Sequence, residues 1–165
     1  MKAALFSFPP VNLFLLKGET GLREVKYLKN KDDYSAYINS FGPDASSSPE
    51  SFAQEIELFK EYFQGKPVDF KFLSLDLSRG TTFQKAVWKE TRKIPYGKTS
   101  SYRELAKSLG HRGYRSIGQA LGKNPFLIIV PCHRVLGADG SLGGFSAGLH
   151  LKKYLLGLEK TVPDK

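Results

Sequence analysis

The chain has 165 residues, 41% of them hydrophobic, and a formal net charge of +9 from 25 Lys+Arg against 16 Asp+Glu. That is enough for one large domain or two small ones with a real core, and no apolar run is long enough to span a membrane. The single cysteine, Cys132, excludes an internal disulfide and fits a reducing, cytoplasmic setting. Met1–Ser78 is close to neutral, so the basic excess, and with it any surface for a polyanion, belongs to the second half.

The opening MKAALFSFPP lacks the long apolar region and small-residue cleavage site of a signal peptide, and Pro9-Pro10 interrupts it. Residues 3–8 and 13–17 read as strands, and KGETGL offers a turn into REVKYL and a hairpin. FGPDASSSPE, residues 41–50, is a loop by composition. A helix is expected from near Pro49, with Ser48 as N-cap, an apolar face of Phe52, Ile56, Phe59 and Phe63, and a stop at Gly65. KFLSLDL alternates like a strand, and SRGTT breaks the pattern and sets a domain boundary near Ser78–Gly80.

The second half reads as helical. Thr81-x-x-Gln84 and Ser101-x-x-Glu104 are capping boxes opening two helices. The first carries Phe83, Ala86, Val87 and Ile94, and the turn IPYGKT closes it. The second carries Tyr102, Leu105, Ala106 and Leu109 and ends at Gly110. After the turn HRG, YRSIGQALGKN places Ile117, Ala120 and Leu121 on one side and stops at Asn124-Pro125. Two short helices around a glycine-containing turn make a helix-turn-helix pattern. A plain packed hairpin fits the same pattern; Arg103, Lys107, Arg112, Arg115 and Lys123 favour nucleic acid. FLIIV follows as a buried strand or short extended segment, then Pro131-Cys132-His133-Arg134, a loop with five glycines at 137–148, and a last helix facing the core with Leu151, Tyr154, Leu155 and Leu158.

A lone cysteine after an apolar run is commonly a small core residue. Against that, Pro131 fixes the backbone before Cys132, His133 and Arg134 are costly to bury and so place this point at solvent or a cleft, and positive neighbours lower a thiol pKa. Cys132 with His111, His133 and His150 matches no zinc spacing. A protease dyad would need a turn or a bridging water between Cys132 and His133. No GxGxxG or P-loop is present, so no nucleotide cofactor is indicated.

IPYGKTSSYRELA, RSIGQALGKNPF, IIVPCHRV and GGFSAG, in this order over roughly residues 80–160, resemble the O6-alkylguanine-DNA alkyltransferases. The resemblance implies an α+β fold: a small sheet-and-helix domain (1–79) of supporting role, then a mainly helical domain (80–165) carrying the helix-turn-helix, DNA binding and alkyl transfer. It also implies a single-turnover transfer of the alkyl group from O6-alkylguanine, and O4-alkylthymine, in duplex DNA to Cys132. His133 then takes the thiol proton through a water, Glu159 orients His133, Asn124 braces the turn, and Tyr102 donates a proton to the departing guanine. Base flipping is implied, since O6 is not open to in-line attack in the stack, with Arg115 filling the vacated space.

Tyr114, Ser116, Gln119, Lys123 and Arg134 are the further DNA contacts on this reading; Leu121, Leu142, Phe145 and Ser146 line the base pocket, the backbone of Leu142 and Ser146 bonding the base. Phe145 stands where relatives often carry tyrosine. Some relatives hold zinc in the first domain; with no cysteine there and no histidine before His111, none is expected here. The expectation is thus a cytoplasmic, monomeric protein that acts on alkylated double-stranded DNA with no metal, cofactor or membrane. A non-catalytic alkyltransferase-like lesion-binding protein and a thiol hydrolase are the competing classes.

Overall fold

Strand-forming residues dominate the first thirty positions, and they build a meander. A computed structural model describes residues 1–160; residues 161–165, the end of the expected second domain, lie outside the described residues. The chain divides into two compact units, Met1–Leu77 with Pro125–Leu127, and Ser78–Asn124 with Ile128 onward.

In the first unit, β1 (Lys2–Phe8), β2 (Val11–Gly18) and β3 (Gly21–Leu28) pair antiparallel in sequence, and β4 (Ser46–Ser47) adds parallel to β1, giving the order β3-β2-β1-β4. β2 is buried on both faces, which is why its run Leu13–Leu16 is continuous rather than alternating. Phe14, Leu16, Ala3 and Leu28 pack under α1 (Asp33–Asn39), with Phe14 edge-on to Tyr37 at 4.6 Å. Phe6 faces Phe59 and Phe63 of α2 (Ala53–Phe63), each at 5.8 Å.

Three local expectations need correction here. The helix at Pro49 begins as a 3-10 turn, Pro49–Phe52, and only then becomes α2; the Ser48 hydroxyl bonds Glu50 and Ser51 side chains instead of capping backbone. KFLSLDL is not a strand: only Leu75 bridges, to Leu22, while Arg23 reaches Asp76 at 2.9 Å. FLIIV, expected as a buried strand or a short extended segment, is no regular strand: only Phe126 bridges, to Val25. Pro125–Leu127 run beside β3, Val25 N–H donating to Pro125 O and Leu127 N–H to Val25 O, and then Ile128 turns the chain at φ 72°. A β-branched residue pays for that conformation sterically, so five apolar residues in a row read as a strand when they form a turn.

In the second unit, both capping boxes form, each side chain bonding the other residue's backbone. They open α3 (Thr82–Thr91) and α4 (Tyr102–Ser108), each stabilised by about 1 kcal/mol at its cap. A turn at 109–113 leads from α4 into α5 (Tyr114–Gly122), whose Ile117, Ala120 and Leu121 are buried. The only tryptophan, Trp88 of α3, donates its indole N–H to Ala120 O at 2.9 Å and so ties α3 to α5. β5 (Ser100–Ser101) pairs parallel with β6 (Val135–Leu136), and α6 (Leu149–Glu159) closes the unit.

Candidate active site

The site is organised by a tight turn around one sulfur. Pro131 sits at φ −80°, ψ 66°, the geometry of an inverse γ-turn, and Cys132 N–H donates to Val130 O at 2.7 Å. Cys132, His133 and Arg134 then form a single 3-10 turn. The Asn124 amide, just after α5, donates both to Val130 O at 3.0 Å and to Cys132 Sγ at 3.3 Å. It therefore braces the turn and touches the thiol at once.

Cys132 reaches a cavity of about 620 Å3 lined by Tyr102, Tyr114, Arg115, Gly118, Gln119, Leu121, Gly122, Gly144, Phe145 and Ser146. The β5–β6 pairing explains Tyr102: Ser101 sits opposite Leu136, so the first residue of α4 is delivered beside the end of PCHRV. Two glycines make room for its ring. A Cβ on Gly143 would lie 2.8 Å from Tyr102 Oη, and one on Gly118 3.8 Å from Cε1. The Tyr102 hydroxyl donates to Gly144 O at 3.4 Å. Burial, helped by the charge of a thiolate at Cys132, pushes its pKa up, so at neutral pH it is a proton donor.

His133 and Glu159 form a pair fully inside the unit, Nε2 to Oε2 at 2.6 Å. Glu159 also accepts from Arg134 Nε at 2.8 Å, Arg134 Nη2 at 3.0 Å and Gly97 N–H at 3.3 Å. Burial by itself would raise its pKa, but the hydrogen bonds and charges of His133 and Arg134 outweigh that and hold it at about 2. With the carboxylate ionised, Nε2 carries the imidazole proton. Burial depresses His133, against the pull of Glu159, so the ring is neutral at pH 7.

Burial likewise pushes the Cys132 thiol up, opposed by the Asn124 amide and the charge of Lys152. The expectation that positive neighbours would make Cys132 acidic is therefore reversed. His133 and Arg134 are buried as well, so of the two expected settings, solvent or a cleft, this point meets a cleft, and it does so through Cys132 alone. Burial also removes Arg134 from the DNA contacts: two of its nitrogens are taken by Glu159 and Nη1 donates to Ile94 O at 2.6 Å.

The two family descriptions that match are "6-O-methylguanine DNA methyltransferase, DNA binding domain" over residues 82–161 and "6-O-methylguanine DNA methyltransferase, ribonuclease-like domain" over residues 1–77. The chain belongs to the 6-O-methylguanine DNA methyltransferase family. A Methanosarcina barkeri protein named methylated-DNA–protein-cysteine methyltransferase is 41% identical over 154 residues, covering 92% of each chain. A Mycobacterium tuberculosis protein of the same name is 47% identical over 114 residues, 68% of each. The crystal structure of Mycobacterium tuberculosis OGT in complex with DNA superposes with a TM-score of 0.84 at 36% identity, covering 98% of this chain and 94% of that one.

Within this member of the family, the other expected residues fall in three places. Tyr114, Arg115, Gln119, Leu121, Phe145 and Ser146 line the thiol cavity. Ser116 and Lys123 line a second groove with Thr81, Phe83 and Gln84 at the start of α3. Leu142 lines neither, and its carbonyl accepts from Lys152. His111 packs against the Phe83 ring at 4.9 Å with the planes tilted by 47°, and His150 is exposed, both apart from the thiol. Among the described residues no cluster of three or more His, Cys, Asp or Glu could hold a metal, and no helix is long and apolar enough to cross a membrane.

Lys152 is the residue that sequence reading missed. Its side chain is buried, and its ammonium donates to Val135 O at 2.8 Å, to Leu142 O at 2.5 Å and to Gly144 O at 3.2 Å, with Tyr102 and Phe145 rings at 5.9 and 5.8 Å. Three donors meet three carbonyls, so the glycine-rich wall is tied to α6 and β6. Nothing in LHLKKYLL separates this lysine from its exposed neighbour Lys153. Gly143 had one signal, its place in a Gly-Gly pair.

Proposed function

We propose that this chain repairs DNA by moving the alkyl group of O6-alkylguanine, and of O4-alkylthymine, from duplex DNA onto Cys132, once per protein molecule. The observation that carries this reading is that Cys132, Tyr102 and Arg115 line one cavity, with the His133–Glu159 pair directly behind the thiol turn. In the reaction the thiol proton passes to neutral His133 through a water, and the sulfur attacks the alkyl carbon in line. The carbon–O6 bond breaks and its electron pair goes to the guanine, which takes a proton from the Tyr102 hydroxyl. Glu159 stabilises the imidazolium. Tyr102 and His133 return to their resting states by exchange with solvent. The thioether at Cys132 has no route back, so the protein is consumed.

α4 and α5 act as a helix-turn-helix. Tyr114, Arg115 and Gln119 at the cavity rim, with Ser116 and Lys123 in the adjoining groove, face the DNA. The damaged base is flipped into the cavity against Leu121 and Phe145, with Ser146 backbone bonding it, while Arg115 occupies its place in the stack. The first unit has a supporting role, and the protein works as a monomer without metal or cofactor in the cytoplasm. Stoichiometry tests this: with labelled O6-methylguanine duplex in excess, transfer stops at one methyl per protein, and Cys132→Ser binds the duplex with no transfer. Continued turnover would favour a hydrolase, and binding without transfer by the unaltered chain a lesion-binding protein.

A further inference from the structure

Arg134 is the one expected DNA contact that the fold removes from the surface, and the repair chemistry above leaves it without a task. Its guanidinium is held on every side within the second unit. Nε and Nη2 grip the two oxygens of Glu159 in a fork, Nη1 donates to Ile94 O, and the plane lies 5.9 Å from the Tyr96 ring centre. The same carboxylate takes the His133 proton contact at 2.6 Å, on the oxygen that Nη2 also touches. A guanidinium fork of this kind fixes carboxylate orientation as well as charge.

We propose that Arg134 is a positioning residue for alkyl transfer: its fork on Glu159 fixes the carboxylate that orients His133 and shares its negative charge, so that less of that charge bears on the imidazole that takes the thiol proton. This rests on the repair reading above. Without the fork, more of the Glu159 charge would bear on His133 and draw its titration upward, against the effect of burial. The charged groups around the imidazole pull in both directions. Lys152 of α6 and Arg134 itself are both positive, and both oppose protonation of the ring. Glu159 is a negative group that favours it, and it also receives the Gly97 amide. Arg134 thus adds to burial in opposing the pull of Glu159 on the imidazole.

The test is the pH dependence of single-turnover methyl transfer from O6-methylguanine duplex, between about pH 5.5 and 8.5 where histidine titrates. Rates are read per active protein, with the burst amplitude counting active molecules. Removing a like charge a few ångströms away shifts a titration by one unit or more, about tenfold in the population of the competent form. Arg134→Met is expected to lower the ratio of the rate at about pH 6 to that at about pH 8 by about tenfold relative to the wild type. Arg134→Lys, which keeps the charge and loses the fork, is expected to recover most of that ratio. A purely structural arginine would reduce the active fraction alike at every pH, and an unchanged ratio in Arg134→Met overturns the proposal. Should Arg134→Met not fold, Arg134→Lys decides: a ratio lower than the wild type by about twofold or more supports the fork, and an identical ratio overturns it. Absence of transfer by the wild-type chain at every pH would instead bring down the repair reading itself, and this outcome is distinct from an active wild type with an unshifted variant.

Discussion

Glu159→Gln removes the charge that holds His133 and Arg134 together inside the second unit. The carboxylate accepts hydrogen bonds from His133, twice from Arg134, and from Gly97. An amide turns an acceptor into a donor against one of these partners and leaves the Arg134 charge buried without its counter-ion. Two magnitudes agree on the cost. The pKa of Glu159 is lowered from 4.5 to about 2, which at 1.36 kcal/mol per unit is about 3 kcal/mol of stability. Removing one partner of a buried ion pair costs about 3–5 kcal/mol. Because the folded pKa lies below the unfolded one, this stabilisation is complete above pH 4.5 and is lost as pH falls toward 2. Urea unfolding followed by Trp88 fluorescence reads the second unit, where the only tryptophan is buried. The wild type is expected to exceed Glu159→Gln by about 3 kcal/mol at pH 7, with the gap closing below about pH 4.5. A gap under about 1 kcal/mol at pH 7, or one that stays constant into acid, would refute this account of the buried pair.

Lys152→Met keeps the length of the side chain and strips three backbone carbonyls of their donor. Each buried acceptor left unsatisfied costs about 1–3 kcal/mol, so the glycine-rich wall loosens; faster amide exchange over 142–146 and slower methyl transfer are expected, and an unchanged rate would show the wall is held otherwise. Arg115→Ala leaves the thiol turn intact, so its transfer rate from O6-methylguanine duplex should fall far more than from the free alkylated base. Equal losses on both substrates would remove the stacking role of Arg115.

The local rules of helix starts were legible at Thr81 and Ser101, because a capping box depends only on residues three apart. The hairpin meander was legible for the same reason, its turns being encoded within a few residues. Long-range causes were not. α1 carries Tyr34, Tyr37 and Ile38, continued by Phe41, at helical spacing, but has no fully buried residue, and these side chains gain meaning only against Phe14 and its cluster. FLIIV has the composition of a strand, yet a left-handed Ile128 and the pairing of Pro125–Leu127 with β3 break it. Within the site, Cys132, Asn124 and Tyr102 were found from motif and resemblance. The burial of Arg134 and Lys152 was not, since the carboxylate and carbonyls that compensate them come from Glu159, Ile94, Val135 and the glycine loop. Charged residues are rarely buried without such partners, and partners distant in sequence leave no local pattern.

The central claim is that Cys132 is the acceptor. Intact-protein mass spectrometry before and after incubation with duplex containing one O6-methylguanine, with peptide mapping of the product, tests it most directly. The expected result is a mass increase of a single methyl group, located on the peptide carrying Cys132, with unmodified guanine appearing in the DNA in equal amount. Guanine restored with no added mass, or a methyl group found on any other residue, would contradict it.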